Sequence, residues 1–177
     1  MGQKLRLLEK YGDNSGNIDG CFLTLDLDRL DDHIVEPFLV LFNQYWREVN
    51  EEDLSGLQVY QVNGNDVLVP EIQATLYMLM QEGAKIKLAY EGSDLIGFLV
   101  YHTVYKSVVV IRHLYSIRER SSTAKRLVES ALPNVKKLLF QTRKRNPPNR
   151  LLSILRNADI LHEDNKLIDW EMQWQCH

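Results

Sequence analysis

Residues 108–132 read VVVIRHLYSIRERSSTAKRLVESAL, and this stretch decides the fold. Its first part is dense in β-branched residues, and Ser107 to Ile117 is predicted to be a central strand. From Ser122 to Leu132, residues Ala124, Leu127, Val128, Ala131 and Leu132 recur at helical spacing, which predicts an amphipathic helix capped by Ser121 or Ser122. A helix start aimed out of a strand end holds several N–H donors and the positive end of the helix dipole, an arrangement that binds phosphate. Arg118, Arg120, Lys125 and Arg126 surround that start, and Ser121, Ser122 and Thr123 add hydroxyl groups. A plain capped helix with basic surface residues fits the same letters.

Toward the N-terminus, Leu95 to Tyr105 is predicted as a second long strand, joined through Glu91-Gly92-Ser93-Asp94 to a short one over Lys85–Tyr90. A helix follows Glu36-Pro37, with Phe38, Leu41, Phe42, Tyr45 and Val49 on one face, and another begins near Pro70 and stops before Gly83. Cys21 to Leu27 alternates as a first strand. Toward the C-terminus come a strand over Val135–Thr142, a helix from Pro147-Pro148 to Asn157, and a short strand near Asp159–His162. A last strand carries Ile168, Trp170, Met172 and Trp174. Hairpins followed by alternating strands and helices imply a mixed sheet covered by helices. The expected organisation is a lead-in over residues 1–19 and one domain over 20–177.

The chain has 177 residues, 45% hydrophobic and 25% charged, which excludes a mostly disordered protein. Cys21 and Cys176 show no metal-ligand spacing and read as free thiols in a reducing compartment. No apolar run reaches the ~20 residues that span a bilayer, and Met1–Tyr11 is too charged for a signal peptide, so a cytoplasmic location is expected. The net charge of −3 is unevenly spread. Residues 112–150 hold 11 Lys/Arg against Glu119 and Glu129 alone, a pattern suited to a phosphate-bearing ligand, a nucleic acid or simply solvated helix faces. Aromatic residues do not interleave with Arg143-Lys144-Arg145, so a nucleic-acid partner is the less favoured reading.

Leu114-Tyr115-Ser116-Ile117, then Arg118 through Ala124 with Leu127 and Val128 beyond, resembles the GNAT acetyltransferase family. That family carries L-Y-V, a turn, R-x-x-G-x-G/A and an L-L pair. Asn149, Leu152, Leu155 and Arg156 occupy the positions of its fourth-helix pattern, N-x-x-A-x-x-L-Y, with Asn149 and Leu155 matching it. The chain departs from the pattern where Ser122 stands at the first loop glycine, Glu119 at the loop arginine and Arg156 at the tyrosine. The resemblance spans roughly residues 20–174. It implies an α/β (α+β) fold: a mixed, mostly antiparallel twisted sheet flanked by about four helices. It also implies acetyl-CoA as cosubstrate, held by Leu114, Ser116, Arg118, Arg120, Ser121, Ser122, Thr123, Ala124 and Asn149, with an amine of a protein or small molecule as acceptor. The departures leave a second expectation, a catalytically silent binding or structural protein of the same fold. A bacterial or phage source would fit, with the host cytoplasm or the virion as its place in the latter case.

Acetyl transfer to an amine needs a base for the ammonium proton and a donor for the thioester oxygen. No acidic residue lies between Lys106 and Arg118, so His113 is the nearest candidate base, with His102 on the neighbouring strand second. Tyr115 and Tyr105 are the candidate acids. Backbone N–H groups around Tyr115-Ser116 would polarise the thioester if the strands splay there. Each of these side chains also reads as ordinary sheet packing. No metal spacing, G-x-S-x-G elbow or Walker loop occurs.

Overall fold

The computed structural model describes residues 18–19, 22–27, 36–50, 56–105, 107–117, 123–131, 135–143 and 158–174. The strands are β1 (Ile18–Asp19), β2 (Phe22–Leu27), β3 (Leu57–Val62), β4 (Asn65–Pro70), β5 (Lys85–Glu91), β6 (Asp94–Val104), β7 (Val108–Ser116), β8 (Lys137–Arg143), β9 (Asp159–Glu163) and β10 (Leu167–Gln173). The helices among the described residues are α1 (Glu36–Asn50), α2 (Glu71–Gln81) and α3 (Thr123–Ala131). The helix expected over 147–157 lies outside the described residues. The chain forms two compact units, Met1–Leu27 with Lys85–His177, and Asp28–Ala84.

The first unit is built on an eight-stranded sheet of order β1-β2-β5-β6-β7-β8-β10-β9. Every neighbouring pair is antiparallel except β7 with β8, the junction that α3 crosses. This is the mixed sheet that the order of elements predicts, and mostly antiparallel as the family resemblance implies. Ala124, Leu127 and Val128 of α3 pack with Leu99, Val109, Ile111, Leu114, Leu138, Phe140 and Met172. These side chains are buried because the helix covers that face, and burying each large aliphatic group contributes about 1.5–3 kcal/mol. Trp170 and Trp174 pack against the edge of the same cluster. The Trp170 ring stacks on Phe140, 6.3 Å away at 11°, and its Nε1 donates to the Thr142 hydroxyl at 2.8 Å. The turn between β9 and β10 is closed by Asp164, whose carboxylate accepts the backbone N–H groups of Lys166 and Leu167 at 2.7 and 2.8 Å. Those bonds hold its carboxyl below the usual range.

Among the described residues of this unit, one lysine is buried. Lys87 is 3% exposed, and its ammonium meets Asp26 across β2 and β5 at 2.9 Å. The sequence places Lys87 in an alternating strand at the same parity as Ala89, a position that carries a charge only when a partner accompanies it. Tyr101 is buried nearby, and burial followed by the Asp26 charge pushes its hydroxyl up to about 12.

The second unit corrects the expected element order. A hairpin, β3–β4, stands between the two helices, as a two-stranded sheet of its own. Its turn is Asn63-Gly64, with φ of 53° and 81°. Two successive positive φ values define the turn that matches strand twist, and Asn-Gly is its preferred sequence. In α1 Phe38, Leu41, Phe42 and Tyr45 of the expected apolar face are buried and Val49 is half-buried, and Phe42 contacts the rings of Phe38, Tyr45 and Trp46 at 6.0, 5.6 and 6.0 Å. In α2, Ile72, Ala74, Leu76 and Leu79 are buried. Its end is closed as Gly83 predicts: the N–H groups of Gly83 and Ala84 donate to the carbonyls of Met80 and Leu79 at 3.0 and 2.9 Å.

Candidate functional site

The parallel ladder between β7 and β8 runs only from Val108–Lys137 to Ile111–Phe140. Beyond it each strand follows its outer neighbour. The antiparallel register of β7 with β6 continues to Ser116–Gly97, and that of β8 with β10 to Arg143–Leu167. The two halves of the sheet therefore part after Ile111. A bulge explains where. Val100 pairs with His113 and Tyr101 with Ile111, so Arg112 is the extra residue. A bulge of this kind bends its strand and sharpens the local twist.

The segment past the bulge contains four of the predicted residues, and strand alternation divides them. Leu114 and Ser116 share the face of Leu99 and Gly97, beneath α3; Leu114 belongs to the α3 core, and Ser116 is buried. His113 and Tyr115 share the opposite face, opposite Val100 and Phe98. Tyr115 is buried, with its ring 5.8 Å from that of Phe98. His113 is pushed down from 6.5 to about 4, first by burial and then by the Arg112 charge. It is a neutral imidazole at neutral pH. His102, opposite Val110, lies on the same face. Tyr105 is not brought to this group: it occupies the turn at the other end of β7, is 86% exposed and has a φ of 61°.

Thr123 and Ala124 form the first turn of α3 and are buried. Gly97 fixes that turn against the sheet. A Cβ there would stand 2.6 Å from the Tyr115 carbonyl oxygen and 3.2 Å from Thr123 Cγ2. Only glycine admits this approach. The Ile117 N–H, donating to the Ile96 carbonyl at 2.9 Å, secures the chain as it leaves β7. Arg118, Arg120, Ser121 and Ser122, which the sequence places in the connecting loop, lie outside the described residues, as does Asn149. Sequence reasoning missed Arg112 and Gly97. A lone glycine inside a strand is a signal for close backbone approach, so Gly97 was detectable. The bulge was not, because it exists only in the register between two strands.

This arrangement, a mixed sheet parted at one parallel junction with a helix starting where the strand ends, is the fold of the GNAT acetyltransferases. Solved structures share it at low sequence identity. The Campylobacter jejuni N-acetyltransferase PseH matches with a TM-score of 0.55 and 14% identity, over 88% of this chain and 99% of that one. The PaiA N-acetyltransferase of Thermoplasma acidophilum, solved in complex with coenzyme A, gives 0.56 and 11%, over 86% and 99%. A Desulfovibrio desulfuricans protein assigned to the GNAT family gives 0.52 and 11%, over 86% and 98%. No family model matches the chain, and no curated protein matches it in sequence. Among the described residues, no helix is long and apolar enough to cross a membrane, and no cluster of three or more His, Cys, Asp or Glu side chains is placed to hold a metal.

Proposed function

We propose that this protein binds acetyl-CoA at the parting of β7 and β8 and transfers its acetyl group to an amine. The observation that carries the reading is the end of the parallel ladder at Ile111, one residue before the bulge at Arg112. In this reading the main chain of Leu114 and Ser116 lines the thioester arm. Arg118, Arg120, Ser121, Ser122, Thr123 and Ala124 receive the pyrophosphate at the start of α3, and Asn149 lies farther along the cosubstrate. The amine nitrogen attacks the thioester carbon while N–H groups near Tyr115-Ser116 stabilise the developing oxyanion. As the C–S bond breaks, His113 takes the nitrogen's proton and Tyr115 protonates the leaving thiolate. The depressed pKa of His113 makes it a weak base for a free ammonium. Its proton transfer belongs after attack, when the nitrogen is far more acidic.

The same depressed pKa favours a second reading, a silent protein of this fold that binds the cosubstrate or a related ligand without turning it over. Ser122 and Arg156, where the family has glycine and tyrosine, point the same way. Titration calorimetry with acetyl-CoA and desulfo-coenzyme A tests both. Binding that weakens in Arg118→Ala and Arg120→Ala is expected, and no binding at millimolar ligand overturns the proposal. Acetyl transfer lost in His113→Ala assigns the base; binding without any transfer by the unaltered protein selects the silent reading.

A further inference from the structure

Arg112 holds a place that the reaction steps above do not use. It is the inserted residue of the bulge, it follows the last residue of the parallel ladder, and it precedes His113. Its side chain is exposed. The matching position across the seam is Gln141, which follows Phe140 and is exposed as well. Arg112 and Gln141 therefore flank the start of the opening between the two halves of the sheet. By alternation Gln141 lies on the face opposite α3, the face of His113, because Phe140 belongs to the α3 core. Its Nε2 donates to the Asp169 carboxylate of β10 at 2.8 Å.

The two flanks differ in charge. Strands β7 and β8 contain no Asp or Glu, and β6 contains only Asp94, at its far end. No ion pair among the described residues engages Arg112, and its charge is felt at the His113 ring. On the other flank Glu171 is paired with Lys137, while Asp169 is met by the neutral Gln141 amide. A guanidinium beside the point of amine attack repels an approaching ammonium, because charges in a partly dry site are poorly screened. It attracts an acceptor that brings a carboxylate of its own, which a guanidinium binds through two parallel N–H···O bonds. A polyamine or a lysine side chain presents positive charge alone. On the reading that acetyl transfer takes place in this opening, we propose that the acceptor is a free amino acid whose carboxylate is bound by Arg112. Asp169, on the opposite flank, favours the ammonium end as it enters. Arg112 takes no proton in this scheme; it selects the acceptor.

The test compares amino acids with their amides, which keep the amine and lose the carboxylate. In the presence of desulfo-coenzyme A, saturation-transfer NMR on a mixture of common amino acids is expected to pick out at least one binder. Its amide should bind at least about tenfold more weakly, the scale of a lost charge-assisted pair. In Arg112→Gln that preference should shrink to within about threefold. Arg112 is exposed, so the variant is expected to keep its circular dichroism. Because the preference is a ratio within one protein, a general loss of stability does not imitate the effect. No amino-acid binder, equal binding of acid and amide, or a full preference in Arg112→Gln overturns the proposal. The same compounds are then given to the unaltered protein with acetyl-CoA. Selective binding of an amino acid without acetyl transfer removes the transfer reading and leaves Arg112 as a carboxylate-binding residue. Transfer to butylamine or to a lysine peptide in preference to every amino acid overturns the proposal and leaves the transfer reading standing.

Discussion

The two units of this chain differ in the size of their sheets and in the sign of their charge. The sheet unit closes its strands beneath α3, shields Lys87 with Asp26, and carries 19 Lys/Arg against 13 Asp/Glu, a net charge of +6. The smaller unit carries −9 and turns Leu57, Val59 and Leu68 outward. The contrast teaches that burial, and not membership of a unit, sets what a side chain contributes, since both units bury apolar residues and the hairpin leaves Leu57, Val59 and Leu68 in solvent. Substitutions should therefore divide sharply between buried and exposed positions.

The largest effect is expected for Leu127→Ala, which empties a fully buried position under α3 and should cost about 2–5 kcal/mol in urea unfolding. A loss below 1 kcal/mol would break the comparison. Gly97→Ala comes next. The clash at 2.6 Å is with backbone, which cannot rotate away, so a cost of about 1–3 kcal/mol is expected. Weaker acetyl-CoA binding should accompany it, because the start of α3 moves. Asp26→Ala strands the Lys87 ammonium, whereas Lys87→Met replaces it with an apolar chain. Asp26 is partly exposed, so the first change should cost about 1–3 kcal/mol and the second less than 1. An equal cost for both would show that the pair itself stabilises the sheet.

A smaller effect concerns pH. His113 titrates near 6.5 when unfolded and near 4 in the fold, so between those values the unfolded chain holds the extra proton. Stability is full above 6.5 and declines as pH falls through the window. Tyr101 acts at the other limb, with stability declining as pH rises from 10 toward 12. Urea midpoints across pH should show both slopes, and His113→Gln should flatten the acid one alone. Least affected should be Val59→Thr on the bare hairpin face, within about 0.5 kcal/mol of the parent.

Much of the sheet unit was legible because its signals are local. β-Branching marks β6 and β7, and periodicity marks α3; in the smaller unit, Pro70 and Gly83 bound α2 in the same local way. The hairpin was missed although Asn63-Gly64 announces it. Its alternation has no buried face long enough to stand out between two helical patterns. In the candidate site, the residue types could be read from the sequence but their environment could not. His113 looks like a neutral-pH base by type, yet burial in the folded sheet and the Arg112 charge lower its proton affinity, and burial is a property of the fold rather than of the residue. Alternation alone puts Leu114 and Tyr115 on opposite faces, but which of them lies beneath α3 depends on the bulge at Arg112, a register shift with β6 that no single segment encodes.

The short seam between β7 and β8 also bears on how the molecule assembles. The β5-β6-β7 meander can form from neighbouring hairpins, whereas β8 must return beside β7 through α3 and find four partners in parallel. Until that closure succeeds, each half displays a raw strand edge able to recruit another chain. Crowded synthesis would therefore threaten this protein first at its centre rather than at its rim.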